Sequence, residues 1–490
     1  MYSLGFDIGS SSVKVALLDV TTGKAVSSAF YPKEEMAISS PHPEWAEQNP
    51  SDWWNNLKQA LKDVLTEPGV NKSAIKSIGI SYQMHGLVAV DENGDVLRPA
   101  IIWCDSRAIE HGNKAFNEIG KEHCLSHMLN SPGNFTASKL RWVKENEPEI
   151  FSRIHKIMLP GDYIAYKLTG DIVTTKSGLS EGIFWDFQTQ SVSRELLNNY
   201  GFSADIIPTV KETFEIQGVL SLETAKELDL EAGIAVSYRA GDQPNNALSL
   251  NVLNPGEVAA TAGTSGVVYG VSDQLKYDPA SRVNTFAHVN HTNVDNRLGV
   301  LLCINGTGIL NSWLRKNVAA ELDYIQMNDE AEAIEPGSNG LLIFPFGNGA
   351  ERVLENKNPG ATVKHLNFNI HTRGHILRAA QEGIAFSFMY GMEVMEQTGI
   401  ATKVIRAGKA NMFLSPVFRQ TLADISGSTI ELYETDGALG AARGAAFGAG
   451  LYNSLEEAFS SLEKVEIIRP NPNNIDQLEV TYENWKQELN

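Results

Sequence analysis

Two aspartates sit where carboxylates do chemistry. Asp7 lies inside the apolar run "LGFDI", just before Gly9-Ser10-Ser11-Ser12 and a second apolar run, "VKVALLD". Burying a carboxylate in a strand is costly unless it is paired, hydrogen-bonded or facing a cation. The turn of small residues offers several backbone N–H groups and hydroxyls at one point, which suits an anion. A metal ion held through water by Asp7 would complete such a site. The competing reading is a tight turn whose strand-end Asp makes a local cap. Asp242, in "AGDQPNN", follows the strand-like run "IAVSYRAG". A carboxylate at a strand end that opens onto a cleft is placed to take a hydroxyl proton. Here the competing reading is a helix N-cap, because "QPNNALSL" reads as a helix start.

Further residues extend both readings. "GTS" at Gly263 to Ser265 repeats the small-residue turn, and two such turns facing each other would grip one polyphosphate from both sides. Neither a Walker A sequence nor a complete dinucleotide glycine fingerprint is present, so the common alternatives for phosphate binding are missing. "YQMHG" (82–86) and "IIWCDSR" (101–107) flank a strand pair. There His85 is either a ligand contact or a satisfied core histidine. Met84 and Trp103 either meet a ligand or simply pack, and Asp105 either faces a ligand or pairs with Arg107. "GLSEG" (178–182) fits a nucleophile pattern, but that motif needs a helix after it, whereas "IFWDF" reads as strand. The small residues of "GALGAARGAAFGAG" (437–450) fit a closely packed helix whose start borders a nucleotide.

The elements that must position these residues follow from periodicity. Strands are expected at 3–9, 12–19 and 24–31, then a helix at 51–66 with Trp53, Trp54, Leu57, Leu61, Val64 and Leu65 at helical spacing, then the strand "IKSIGIS". After residue 250 a similar order recurs, opening with "GEVAATAGTSGVVYGV" and continuing through a helix at 374–398, "KVIRAG", a helix at 414–426 and "STIELYE". The class is α/β, a duplicated domain with ligand between the halves, divided into 1–247 and 248–490 with a helical C-terminal tail. At 490 residues the chain needs more than one core. A net charge of −19 argues against nucleic acid or an anionic membrane as partner. Three scattered cysteines and no signal-like or membrane-spanning run point to the cytoplasm.

These stretches, together with "SPHPEWAEQNPSDWW", "PGNFTASKLRWVKENEPEIF", "LPGDYIAYKLTG" and "TLADISG", resemble the FGGY carbohydrate kinases in family order over about residues 1–450. The resemblance implies two ribonuclease H-like (actin-like ATPase) domains with ATP, Mg²⁺ and a sugar in the interdomain cleft. It implies ATP-dependent phosphorylation of a ketopentose, D-xylulose, with ribulose, fuculose, gluconate or glycerol as the other acceptors and a homodimer as the family's assembly. A rival of another class is an ATP-gated interaction protein of the actin or chaperone kind. Carried over residue by residue, Asp242 looks like the general base and Asp7 the acid that organises Mg²⁺. Met84, His85, Trp103, Asp105 and Gln243 look like sugar contacts. Ser10, Ser11, Ser12, Lys14, Gly263, Thr264 and Ser265 look like phosphate contacts; Gly308 and Gly408 approach the nucleotide, and Asn411 sits by the adenine. "RAGKANM" (406–412) departs from the family's triple-glycine adenine turn.

Overall fold

The N-terminal hairpin forms because its two apolar runs alternate around a turn that only small residues fill. In the computed structural model, which describes residues 1–355 and 357–489, Tyr2–Ile8 pairs antiparallel with Val13–Asp19. The four-residue turn is closed by Gly9 N–H donating to the Ser12 carbonyl at 3.0 Å. Lys24–Tyr31 continues the meander, and on the other side Ile75–Tyr82 and Ala235–Gly241 join in parallel. The resulting six-stranded sheet runs Gly218–Val219, Ala235–Gly241, Ile75–Tyr82, Tyr2–Ile8, Val13–Asp19, Lys24–Tyr31.

One face of this sheet buries Leu4, Phe6, Val13 and Val15 against Trp53, Leu57 and Leu61 of the Pro50–Leu65 helix. The other face takes the Gly437–Gly448 helix at very close range. A Cβ on Gly5 would stand 1.8 Å from the Ala438 carbonyl oxygen, and one on Gly79 2.1 Å from that of Ala441. The glycine and alanine spacing of that helix is therefore a packing requirement of the sheet beneath it.

Contacts divide the chain into two compact units that are not two halves of the sequence. The first is Met1–Asn251 with Phe286–Leu298 and Thr435–Leu462; the second is Val252–Thr285, Gly299–Glu434 and residues 463 onward. The division after Asn251 lies a few residues beyond the expected 247, and the Gly/Ala helix, expected in the C-terminal domain, packs in the first unit. The reason is the glycine-to-helix contact just described, which outweighs sequence proximity.

The second unit repeats the opening pattern. Glu257–Ala262 pairs antiparallel with Gly266–Ser272 and parallel with Val404–Gly408, in a seven-stranded sheet. Its core gathers Val258, Val268, Ile405 and the buried face of the Arg373–Glu396 helix. No helix among the described residues is long and apolar enough to cross a membrane.

Candidate active site

Parallel pairing brings the C-terminal ends of three strands together, the edge where open α/β sheets place their ligands. Asp7 lies opposite Ser81 on one side and Lys14 on the other. Gly241, paired with Tyr82, hands the chain to a helix that begins at Asp242. Gly241 is the N-cap and no side chain caps this helix, so Asp242 is not the capping residue. Burial, and then the charge of Asp7, push the Asp242 carboxyl up to about 7. Burial also raises Asp7; Asp436 adds to that rise, while Ser81 and Lys14 oppose it.

Asp436 had no chemical signal in the sequence. It caps the Gly/Ala helix by accepting Leu439 N–H at 2.9 Å, and it meets Lys14 Nζ at 2.5 Å. Gly437 fits next to Asp7 only because it has no side chain, since a Cβ there would lie 2.4 Å from Asp7 Oδ2. Two carboxylates, Asp7 and Asp436, thus share the ammonium group of Lys14. Among the described residues no three His, Cys, Asp or Glu side chains form a metal cage. That donor set fits a hydrated magnesium ion, which keeps several waters and takes one or two carboxylates plus phosphate oxygens.

The Met84-His85 turn follows the Ile75–Tyr82 strand. Met84 is 4% exposed and packs on Gly241, whose Cβ position lies 2.5 Å from Met84 Cγ. His85 adopts left-handed backbone geometry, φ 61°, with Phe135 and Phe286 against its ring at 4.7 and 5.3 Å. Gln243, next to Asp242, is half-buried. Trp103 is 53% exposed, and its indole N–H donates to Ser10 Oγ at 3.2 Å, linking the expected sugar and phosphate segments.

Asp105 departs from expectation. Its carboxylate is fully buried and accepts from Ala46 N–H at 2.6 Å and from Arg107 Nη2 at 2.7 Å. Arg107 in turn stacks on Trp45 at 3.9 Å and meets Glu47 at 2.8 Å. The ion-pair reading holds: Asp105 braces the loop, and its oxygens are already engaged by these donors rather than offered to a sugar.

Two buried residues missed in the sequence sit behind His85. Lys139 donates to the carbonyls of His85 and Ile102, both at 2.9 Å. Burial pulls its ammonium down to about 7. Glu181 comes from "GLSEG", whose Ser180 lies within the Lys176–Glu181 helix, donating to the Ser177 carbonyl and accepting Ala287 N–H. That engaged hydroxyl is no nucleophile; the useful residue of the motif is its glutamate.

In the second unit, Gly263, Thr264, Gly308 and Asn411 line one cavity of about 450 Å³, with Asn311, Tyr324 and Ser415. Gly308 N–H donates to the Gly263 carbonyl at 2.8 Å, and a Cβ on Gly308 would come within 2.5 Å of that oxygen. Asn411, φ 54°, opens a short 3₁₀ turn, and its Nδ2 lies 3.7 Å from where a Gly263 Cβ would be. Ser265 and Gly408 are not among the residues lining this cavity.

Two family models account for nearly all of this architecture. The N-terminal domain of the FGGY family of carbohydrate kinases matches residues 2–249, and the C-terminal domain of the same family matches 258–449. The chain belongs to the FGGY family of carbohydrate kinases. This FGGY kinase is 32% identical to the xylulose kinase of Escherichia coli (strain K12), covering 94% of this chain and 92% of that enzyme. It is 31% identical to the xylulose kinase of Bacillus subtilis (strain 168), covering 99% and 96%. The solved xylulose kinase from Rhodospirillum rubrum superimposes with a TM-score of 0.89 at 26% identity, covering 100% of this chain and 98% of that one. A gluconate kinase from Lactobacillus acidophilus reaches a TM-score of 0.90 at 23% identity, covering 99% and 97%, so the fold is common to kinases of different acceptors. Members of the family use ATP as co-substrate with Mg²⁺.

Proposed function

We propose that this kinase transfers the γ-phosphoryl group of ATP to the terminal 5-hydroxyl of D-xylulose, with Asp242 as general base. The observation that carries the site is Asp242 beside Asp7 at one strand edge, next to the Met84-His85 turn. The choice of acceptor is supported by relatives named xylulose kinases that match along nearly the whole chain.

Phosphoryl transfer needs alignment and charge neutralisation more than covalent help. The sugar oxygen attacks phosphorus, the bond to ADP breaks, and the hydroxyl proton passes to Asp242. A base is most effective when its pKa lies near the working pH, and burial holds this carboxyl at about 7. Asp7 would hold Mg²⁺ through water, and the ion would offset charge on the phosphates. Ser10, Ser11, Ser12 and Lys14 donate to phosphate oxygens. His85, Met84, Trp103 and Gln243 contact the sugar, and a hydroxyl whose partner is missing leaves a buried polar group unpaired, which rejects analogues. In the second unit Gly263, Thr264 and Gly308 bind the nucleotide's phosphates and Asn411 its base. The reaction belongs in the cytoplasm, where Cys104, Cys124 and Cys303, all free, stay reduced.

An ADP-release assay with Mg²⁺-ATP across D-xylulose, ribulose, gluconate and glycerol tests this. D-xylulose is expected to give the highest kcat/KM and a 5-phosphate product by ³¹P NMR. Faster turnover of another acceptor, or ADP release that no sugar alters, overturns it.

A further inference from the structure

His85 stands in the left-handed region, which is a genuine cost for a side chain with a Cβ and persists only where the surroundings fix it. Two buried residues hold its backbone, one through the N–H and one through the carbonyl. Lys139, 0% exposed, donates to the His85 carbonyl at 2.9 Å. Glu181, 1% exposed, accepts the His85 N–H through Oε1 in a long bond of 3.5 Å. Glu181 also meets the imidazole, its backbone carbonyl lying 3.0 Å from Nδ1. A carbonyl only accepts, so Nδ1 carries the hydrogen of this bond. The other carboxyl oxygen of Glu181 lies 2.4 Å from where a Gly241 Cβ would be, against the residue that precedes the base.

We propose that Glu181 is a positioning residue that fixes the backbone and ring of His85 against the strand end carrying Asp242, with Lys139 anchoring the next peptide from the other side. The inference rests on His85 being a sugar contact, as read above. Lys139 extends the clamp to a second segment, because it also binds the carbonyl of Ile102, the residue before Trp103. The two stretches expected to touch the sugar are therefore tied to one buried ammonium. Burial, and then the nearby charge of Asp242, hold the Glu181 carboxyl well above the usual carboxylate range, and the amide oxygen of glutamine can accept the same His85 N–H.

A double-mutant cycle tests the proposal with Glu181→Ala, His85→Ala and the double variant, reading KM for D-xylulose, KM for ATP, kcat and the Kd of D-xylulose by calorimetry. Glu181→Ala is expected to raise KM and Kd for the sugar about tenfold and leave KM for ATP unchanged. In the His85→Ala background that effect should vanish, and Glu181→Gln should stay close to wild type. Additive effects in the double variant, an unchanged sugar KM in Glu181→Ala, or an equal rise in both KM values overturns the clamp. If His85→Ala itself leaves sugar binding intact, the sugar-contact reading of His85 fails, and that outcome is distinct from additivity. Should Glu181→Ala not fold, Glu181→Gln against Glu181→Met carries the same comparison. Equal sugar KM in those two variants then refutes the hydrogen-bonding role.

Discussion

Lys14 and Asp436 stand 422 positions apart in sequence and meet at 2.5 Å beside Asp7. Asp436 can reach Lys14 because the helix it caps lies on the sheet with almost no side chain between them. Both groups are about a third exposed, so the pair contributes little to stability. Its consequence is electrostatic: Asp436 raises the carboxyl of Asp7 while Lys14 lowers it.

Asp436→Asn keeps the helix cap, because Asn and Asp serve that position about equally, and removes one negative charge from the proposed phosphate end of the site. Melting temperature should stay unchanged. KM for Mg²⁺-ATP should fall about two- to threefold as a competitor for Lys14 and a repulsive charge disappear. Initial-rate kinetics at low ionic strength check this; a raised KM would mean that Asp436 helps to hold the nucleotide's metal instead.

The proposed base, Asp242, would act only when ionised. With its carboxyl at about 7 in the ligand-free protein, kcat/KM should fall tenfold per pH unit below about pH 7. Asp242→Ala should fold, bind both substrates and lose roughly 10²–10⁴-fold in kcat. A pH–rate profile that stays flat from 8 down to 5 would remove Asp242 from this role.

The same raised carboxyl has a stability signature. Between its unfolded value of about 4 and its folded value of about 7, the native state binds a proton that the unfolded state has released. Its cost to stability therefore grows as pH rises through that window and is complete above 7. Asp242→Asn removes the ionisable group, so the variant should melt higher than wild type at pH 8, by less at pH 5. Calorimetric scans at the two pH values read the difference.

The hairpins, the Asp7 turn and the strand that delivers Asp242 were legible in the sequence, because period-two apolar runs and small-residue turns are local signals. What was not legible depends on distant packing. Asp436 and Lys139 lie on helices whose own sequence says only that they are helices. Glu181 was hidden inside a motif weighed for its serine. For Asp105 the residues leave the pair with Arg107 open while the family resemblance implies a sugar contact, because sequence alone does not tell which partner a loop acid takes. The Gly/Ala helix showed its close packing in its spacing, yet not which sheet it would cover.

That reassignment of Asp105 predicts a different phenotype from a sugar contact. Removing the charge leaves Arg107, buried under Trp45, paired with Glu47. Breaking a buried pair typically costs roughly 3–5 kcal/mol, reduced here by that second carboxylate. Asp105→Asn should therefore lower the melting temperature markedly while the folded fraction keeps its KM for D-xylulose within twofold. A sugar contact would show the opposite split, normal melting and a raised KM.

Gly437→Ala probes the proposed metal end of the site through shape alone. The added methyl would sit 2.4 Å from Asp7 Oδ2, too close for any real contact, so the carboxylate must turn aside. Alanine suits a first helical turn better than glycine does, so the helix itself gains in propensity. The expected result is a folded enzyme with a substantially higher Mg²⁺ requirement and a kcat that recovers only in part at saturating metal. Titrating Mg²⁺ at fixed ATP reads this directly, with Gly440 as the control position: there a Cβ would meet Ser249 Cβ at 2.6 Å instead of a carboxylate. Gly440→Ala should cost stability without moving the Mg²⁺ midpoint, and a shared shift of that midpoint in both variants would assign the effect to helix displacement, not to Asp7.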